Sequence, residues 1–376
     1  MSDSLPDRPR WDDHDDLHLP ALTGDEEAEL CVVGLGGSGL SCITELLALG
    51  ATSVIGIDAV GVAAGAAGRN GGFLLSGTSE YHHDLVAALG RERAVAITQR
   101  TNAEIVRIAR EVPEAVRVAG SLRIAASDEE LEDCERQLAQ MVTDGFAAEP
   151  YVGPEGRGIM IPTDAVFHPM RRCRTIAARA LERGVRLFGR TAARELAAGM
   201  VRTDAGTIRA RHVIACVDGR LELLVPSLVG EVRTARLQML ASAPAPEVLF
   251  TRPVSTRYGY DYWQQLPDRS IVLGGGRDVS PDTEWTTDPA PSATIQDFLT
   301  RTLRERVGVR AAITHRWGAT VSYTPSGLPV FRALDDGLQV VGGYSGTGNV
   351  VGALLGRAAA QRALTGRSAL SDPFVS

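Results

Sequence analysis

The stretch Glu29-Leu30-Cys31-Val32-Val33-Gly34-Leu35-Gly36-Gly37-Ser38-Gly39 decides the fold. Residues 29–34 read as a buried strand, because an unbroken apolar run bounded by a glycine turn suits a strand covered on both faces. Residues 35–39 form that turn, and 40–49 carry apolar residues at helical spacing until Gly50 ends them. A second strand at 53–58 closes a compact βαβ unit. Gly34, Gly36 and Gly39 make a GxGxxG between strand and helix. The first glycine permits the tight turn, the second lets backbone approach a pyrophosphate, and the third lets helix pack on strand. Gly37 and Ser38 open the helix, whose free N–H groups and positive dipole end suit phosphate. Asp58 follows Gly34 by 24 residues. There, with Ala59 beside it, a carboxylate reaches ribose hydroxyls. An acid rather than arginine at this place argues against a 2′-phosphate.

The fingerprint alone leaves FAD and NAD both open. The segment directly downstream separates them. Gly65-Ala66-Ala67-Gly68-Arg69-Asn70-Gly71-Gly72-Phe73 is a second glycine-rich turn. Such a run, at Gly68 to Gly72, lets backbone approach a flat ring closely.

Composition narrows the function from the other side. The chain has 376 residues, enough for one large or two interleaved domains. All 39 basic residues are arginine, so a lysine Schiff base, a pyridoxal phosphate anchor and a phosphate-loop lysine are excluded. The net charge of −7 is concentrated at the start: residues 1–29 hold ten acids and two arginines. The rest is near neutral, so no basic field exists for nucleic acid. Residues 1–27 read as an acidic, solvated arm. No apolar run reaches the roughly 18 residues a membrane helix needs, and the N-terminus lacks a secretory pattern. The five cysteines are scattered without a CxxC pair, which predicts no disulfide framework, no metal site and a reducing cytoplasm.

Further along, 84–115, 128–142 and 169–183 read as helices. Residues 185–189, 206–210 and 211–217 read as short strands, and 230–275 alternate as antiparallel strands would. A helix at 297–307, a strand at 339–342 and a helix at 349–364 close the chain.

The two glycine turns in this order resemble the D-amino-acid oxidase superfamily of FAD enzymes, and within it the branch of glycine oxidase, sarcosine oxidase and γ-glutamylputrescine oxidase. His168-Pro169 before a helix is similar to the family's re-entry into the FAD domain. Residues 208–216, IRARHVIAC, resemble its strand before an "ATG", although Cys216-Val217-Asp218-Gly219 departs from that pattern. Trp317-Gly318 followed by Thr324-Pro325-Ser326-Gly327-Leu328-Pro329 resembles "WxG…TPDGLP". Residues 342–348, GGYSGTG, resemble its closing "GYSGHG". The resemblance implies that Gly343, Tyr344, Gly346, Thr347, Gly348 and Asn349 face the flavin pyrimidine. It also implies a Rossmann-like α/β FAD domain from 28–78, 155–228 and 315–376. A substrate domain on a mixed or antiparallel sheet would come from 79–154 and 229–314.

The chemistry so implied is hydride transfer from a neutral amine to the flavin, giving an imine that hydrolyses, with O2 or another acceptor taking the electrons. Tyr258, Tyr260 and Tyr262 alternate, and on a strand they would share one face. A tyrosine row there walls a substrate site and attracts an ammonium. Amino-acid oxidases of the family place a carboxylate-binding arginine just after this strand, where this chain has Gln264-Gln265. Arg252, Arg257 and Arg277 are the nearby alternatives. The departure favours a small amine without a carboxylate beside the reacting carbon, an amino-acid substrate being the alternative. An NAD(P)-dependent dehydrogenase and a non-catalytic flavin-binding module are the readings from other classes. Residues 316–325 hold no cysteine, and Asn70 stands where some relatives have a linking histidine, so FAD is expected to be noncovalent. Relatives of the sarcosine oxidase type promote oxygen reduction with a lysine. His315 and Arg277 are the substitutes here. His82-His83 reads as a surface pair and Cys216 as core.

Overall fold

The structure, a computed structural model, describes residues 7–12 and 17–375. It divides into two compact units, each drawn from three chain segments, with boundaries at 12/13, 68/69, 168/169, 234/235 and 320/321.

One unit takes the described residues of Asp13–Gly68, Pro169–Thr234 and Val321–Ser376. At its centre β1 (Glu26–Val33) pairs in parallel with β2 (Val54–Ile57) on one side and with Thr207–Cys216 on the other. Arg186–Phe188 extends the sheet beyond β2, and Leu338–Gly342 extends it beyond Thr207–Cys216, both in parallel. In chain order the five strands lie 3-2-1-4-5, the order of a doubly wound nucleotide-binding sheet without its sixth strand. The helix α1 (Gly37–Ala48) is the crossover from β1 to β2 and buries Leu40, Ile43, Leu46 and Leu47. Cys31, Val33, Ile55, Ile57 and Val213 form the sheet core. The strands expected at 206–210 and 211–217 are a single strand, because nothing between Ala210 and Arg211 interrupts its pairing with β1.

The other unit takes the described residues of Met1–Asp12, Arg69–His168 and Ala235–Thr320. Its eight-stranded sheet runs in the order Ile313–Tyr323, Arg233–Pro244, Ser270–Gly275, Asp261–Gln265, Val254–Thr256, Ser121–Ile124, Gly156–Ile161 and Glu149–Gly153. Val254–Thr256 is parallel to Ser121–Ile124, and the neighbouring pairs on either side are antiparallel. The sheet is therefore mixed. The helix Ala293–Glu305 lays Ile295, Leu299 and Leu303 against Leu240, Trp263, Ile271 and Leu273. The single helix expected at 84–115 is two, His82–Leu89 and Arg91–Glu111, broken at Gly90 in a positive-φ conformation.

The acidic arm is only partly solvated where it is described: Asp7, Asp25 and Glu27 are exposed, whereas Trp11, Leu19 and Leu22 are buried. Residues 7–12 belong to the mixed-sheet unit, and Trp11 among them is only 2% exposed. Leu19 and Leu22 are buried in the other unit, where the Leu22 amide donates to Thr191 Oγ1 at 3.0 Å. Aromatic and aliphatic side chains set among the acids outweigh the acids' preference for water. Residues 1–6 and 13–16 of the arm lie outside the described residues. No helix among the described residues is long and apolar enough to cross a membrane, and none of their His, Cys, Asp and Glu side chains gather in a group of three or more able to hold a metal.

Candidate functional site

In the parallel-sheet unit the Gly34 amide donates to Ile57 O at 2.8 Å, tying the turn to β2. Gly39 packs so closely on the Gly34 carbonyl that a Cβ there would collide with it. Gly36 is the N-cap of α1 and offers no side chain, so the helix's first amides keep their donors for a ligand. A Cβ on Gly36 would stand 3.3 Å from Ala67 Cβ and narrow the approach. Open amides, a helix dipole and a clear backbone path fit a pyrophosphate.

Asp58 departs in detail from the role expected of it. Its Oδ2 accepts from the Leu35 amide at 3.0 Å, and its Oδ1 accepts from the amides of Val60 at 2.8 Å and Gly61 at 3.0 Å. Burial raises its pKa, and the three amides oppose that rise. Both oxygens therefore already shape the turns, and a ribose hydroxyl would share oxygens that are in use. Ala59 is exposed beside it.

The loop after Leu338–Gly342 comes to the same helix start. The Tyr344 phenol donates to Ser38 Oγ at 2.7 Å, joining loop to α1. Its ring lies against Gly348 and Gly352, where a Cβ would stand 3.0 and 3.2 Å from it. Ser345 holds φ +49°, and Gly348–Gly352 is a π turn before the helix Ala353–Thr365. Such irregular turns collect at functional sites. The loop is pinned from beneath by Asp218, whose Oδ1 accepts from the Tyr344 amide at 3.1 Å. Burial pushes Asp218 up to about 7 against hydrogen bonds from the backbone of Tyr344, Ser322 and Gly343. The sequence marked Asp218 only as a departure from a pattern; its place under this loop supplies the reason. Cys216 is buried in the same unit, consistent with core.

In the mixed-sheet unit the second glycine turn is held by every carbonyl. Trp317 Nε1 donates to Arg69 O at 2.9 Å, and Trp11 Nε1 donates to Asn70 O at 2.7 Å. Gln264 Nε2 donates to Gly71 O at 2.5 Å and Gly72 O at 3.2 Å, and the Phe167 amide donates to Gly72 O at 2.9 Å. The Asn70 side chain folds back to accept from the Gly72 amide at 2.8 Å. Arg69 donates to Gly318 O at 2.7 Å and to Asp7 Oδ1 at 2.8 Å. Gly72 sits at φ +72°, and a Cβ there would meet Gln264 Nε2 and Phe167 O at 2.6 Å.

The tyrosine row does not form. The strand begins at Asp261, and residues 257–260 are the tip of the hairpin joining it to Val254–Thr256. Arg257, Tyr258 and Gly259 all take positive φ. Tyr258 is 45% exposed and donates to Asp133 Oδ2 at 3.1 Å, while Tyr260 is 37% exposed. Only Tyr262 stands beside the glycine turn. Its ring lies 2.9 Å from where a Gly71 Cβ would be, and it meets Phe73 edge-on at 5.8 Å. Gly259, between two tyrosines, was the signal of a turn.

Of the other candidates, Arg257, Arg277 and His315 have partners of their own. Arg257 pairs with Asp261 at 2.9 Å and with Asp278. The Arg277 guanidinium lies 5.5 Å from the Tyr260 ring and 5.2 Å from that of Trp285. Arg252 is half-buried, and its Nε meets no hydrogen-bond partner among the described residues. His315 Nδ1 lies 2.9 Å from Thr314 Oγ1, and burial, then Arg10 and Arg8, lower its pKa. The His82-His83 pair is drawn inward, not exposed: His82 Nε2 meets Asp144 at 2.8 Å, and His83 Nε2 meets Asp133 at 3.5 Å. Carboxylates on a neighbouring helix end explain why two adjacent histidines leave the surface. Trp11 and Gln264 as holders of the second glycine turn, and Asp218 as holder of the loop at Tyr344, were not foreseen.

Comparison with known proteins follows the same line. Residues 29–362 match the family described as DAO, FAD dependent oxidoreductase. The chain is 26% identical over 387 residues to a probable oxidoreductase OrdL of Rhizobium meliloti (strain 1021), covering 96% of this chain and 87% of that one. It is 25% identical over 368 residues to gamma-glutamylputrescine oxidoreductase of Escherichia coli (strain K12), covering 89% and 83%. The fold is similar to that of glycine oxidase from Geobacillus kaustophilus, with a TM-score of 0.79 and 18% identity over 93% of this chain and 98% of that one. A family match over residues 29–362, most of the chain, places this protein in the DAO family of FAD-dependent oxidoreductases, and so among the enzymes.

Proposed function

We propose that the parallel-sheet unit is the FAD domain, that FAD is held there without a covalent bond, and that the enzyme oxidises the C–N bond of a small primary or secondary amine. Bound FAD supplies the hydride acceptor. The amides opening α1 and the helix dipole would hold the pyrophosphate, and residues 343–349, tied to the same helix start, would hold the ring. Tyr262 and Phe73, edge-on to one another, are the aromatic pair read as the wall for the substrate. The amine would enter unprotonated, give up hydride from the carbon beside nitrogen to become an iminium, pass its N–H proton to water, and leave as an imine that water hydrolyses.

The observation that carries the amine reading is the commitment of Gln264 and Gln265. The family resemblance implies that they stand where amino-acid oxidases place a carboxylate-binding arginine. Gln264 is spent on the carbonyls of Gly71 and Gly72, and Gln265 on those of Ala245, Val248 and Arg269. The likeness to gamma-glutamylputrescine oxidoreductase, whose name carries an amine, supports the same reading. The rival α-amino-acid substrate draws on Arg277 between its two aromatic rings. Anaerobic bleaching of the flavin by an amine and by its α-carboxylated analogue separates them. Faster bleaching by the amine is expected; preference for the carboxylated analogue, lost in Arg277→Ala, overturns it.

Noncovalent attachment rests on Asn70, folded onto its own turn, and on the absence of cysteine from 316–325. Acid precipitation should release intact FAD. The chain has no lysine, and a His315 held neutral carries no charge to promote oxygen reduction, which favours an acceptor other than O2. Five free, buried cysteines support a reducing compartment.

A further inference from the structure

Inside the parallel-sheet unit one buried cation stands at the start of α1. Arg172 is the fourth residue of the helix Pro169–Glu182 and is only 1% exposed. Its Nη2 donates to Ser41 Oγ at 3.0 Å, and its Nη1 stands 3.4 Å from where a Cβ on Gly37 would be. Ser41 is itself buried, in the second turn of α1, and Gly37 opens that helix. Two residues before the arginine, Met170 Sδ lies 2.7 Å from where a Cβ on Gly68 would be, so the start of the arginine's helix is packed in place.

A cation there has an electrostatic consequence. The N-terminal end of a helix already carries the positive end of its dipole. The first turn of α1 contains no acid, and its N-cap makes no side-chain hydrogen bond. The one acid of α1, Glu45, is bonded to Arg357 at 2.8 Å and to Gln361 at 2.7 Å. Guanidinium and helix dipole therefore add at Gly37, and burial keeps water and salt from screening them. The potential rises where an anion would meet the open amides.

We infer that Arg172 is a further binding residue for the cofactor's diphosphate, its guanidinium adding formal charge beside the amides that open α1. The inference rests on the proposed reading that α1 opens on the pyrophosphate. The glycine fingerprint supplies the backbone approach. Arg172, 131 residues after Ser41, supplies the charge, in a chain with no lysine to supply it.

The test uses the full chain stripped of FAD, with ADP and FAD as the two probes. ADP carries a diphosphate without the flavin. Arg172→Gln drops the charge and keeps an N–H donor; Arg172→Lys keeps the charge; Gly36→Asp puts a carboxylate at the cap of α1. The readouts are the Kd of each probe by titration calorimetry and the melting temperature with and without ADP. Expected for Arg172→Gln are ADP and FAD bound about tenfold more weakly, the equivalent of one charge-assisted hydrogen bond, and a smaller rise in melting temperature on adding ADP. Arg172→Lys should recover most of the affinity, and Gly36→Asp should lose both probes. Wild-type affinities in Arg172→Gln, with both probes lost in Gly36→Asp, overturn the role of Arg172 and leave the pyrophosphate at α1. Wild-type affinities in both variants overturn the role and the reading together. Equal losses in Arg172→Gln and Arg172→Lys show a side chain that serves packing alone and overturn the inference as well. Should Arg172→Gln fail to fold, Ser41→Ala, which unties the guanidinium without removing it, decides: weaker ADP binding supports the inference, and unchanged ADP binding overturns it.

Discussion

The two glycine turns are built on opposite principles. The first, 34–39, is closed by its own neighbours: Gly39 packs on the Gly34 carbonyl, and the Gly34 amide reaches β2. The second, 69–72, is held by residues far off in sequence, at 11, 167, 264 and 317. A turn closed locally can be read from spacing. A turn held by distant donors shows only as a run of small residues.

The comparison breaks most directly at Gly39. Gly39→Val puts side-chain atoms into the Gly34 carbonyl, with no room to yield against a helix start. We expect a loss of about 3 kcal/mol or more and no FAD-loaded protein. The yield of yellow protein and a thermal melt measure it, and a stable holoenzyme would show that the first turn is not close-packed.

The loop at 343–345 tests whether the first turn's surroundings are equally self-sufficient. Asp218 beneath it titrates at about 7 in the folded protein, against roughly 3.9 in an unfolded chain. The folded state thus holds the proton more tightly, so stability falls as pH rises from about 4 to 7 and stays low above that. Glu222 adds to the cost of ionisation. Asp218→Asn should remove that slope between pH 6 and 7, worth about 1 kcal/mol per pH unit. Asp164, titrating at about 6, keeps a slope of the same sign at lower pH in both proteins. Urea unfolding at pH 5, 6, 7 and 8 measures the difference; parallel curves would mean that Asp218 is not the titrating group.

Asp58 belongs to the surroundings of the first turn: it was read as a ligand and is found accepting from the amides of Leu35, Val60 and Gly61. Asp58→Ala removes an acceptor from three amides, so a fall in stability of about 1–3 kcal/mol should accompany weaker FAD binding. Weakened FAD binding with an unchanged melt would restore Asp58 to a purely ligand role.

These cases mark what was legible. The βαβ unit, its GxGxxG and the closing strand and helix follow from periodicity and short spacings, and the structure keeps them within a residue or a few of the expected bounds. Gly90 splitting a helix and Gly259 turning a supposed strand were written in the sequence too, but a single glycine is outvoted by the alternation around it. Trp11 could not be placed at all, because its partner is a backbone carbonyl 59 residues away and no side-chain pattern records a carbonyl. The arm's charge pointed to solvent, while one indole and two leucines carried the packing.

The smallest effect is also the sharpest test of the substrate side. Tyr258 was read as part of a wall, and it stands instead at a hairpin tip, 45% exposed, with its hydroxyl on Asp133. An exposed hydrogen bond of this kind contributes little, so Tyr258→Phe should change stability by less than about 0.5 kcal/mol. It should leave amine binding and flavin reduction untouched. Tyr262→Phe should instead weaken amine binding while the reduction rate is largely kept, because a contact made equally in the ground and transition states raises KM and not the barrier. Rapid-mixing reduction across amine concentrations reads both quantities for each variant. Tyr262 alone is on the strand beside the glycine turn, so the two substitutions, four residues apart, should part company. Equal losses in both would mean that the hairpin tip folds over the amine and would restore the wall of tyrosines.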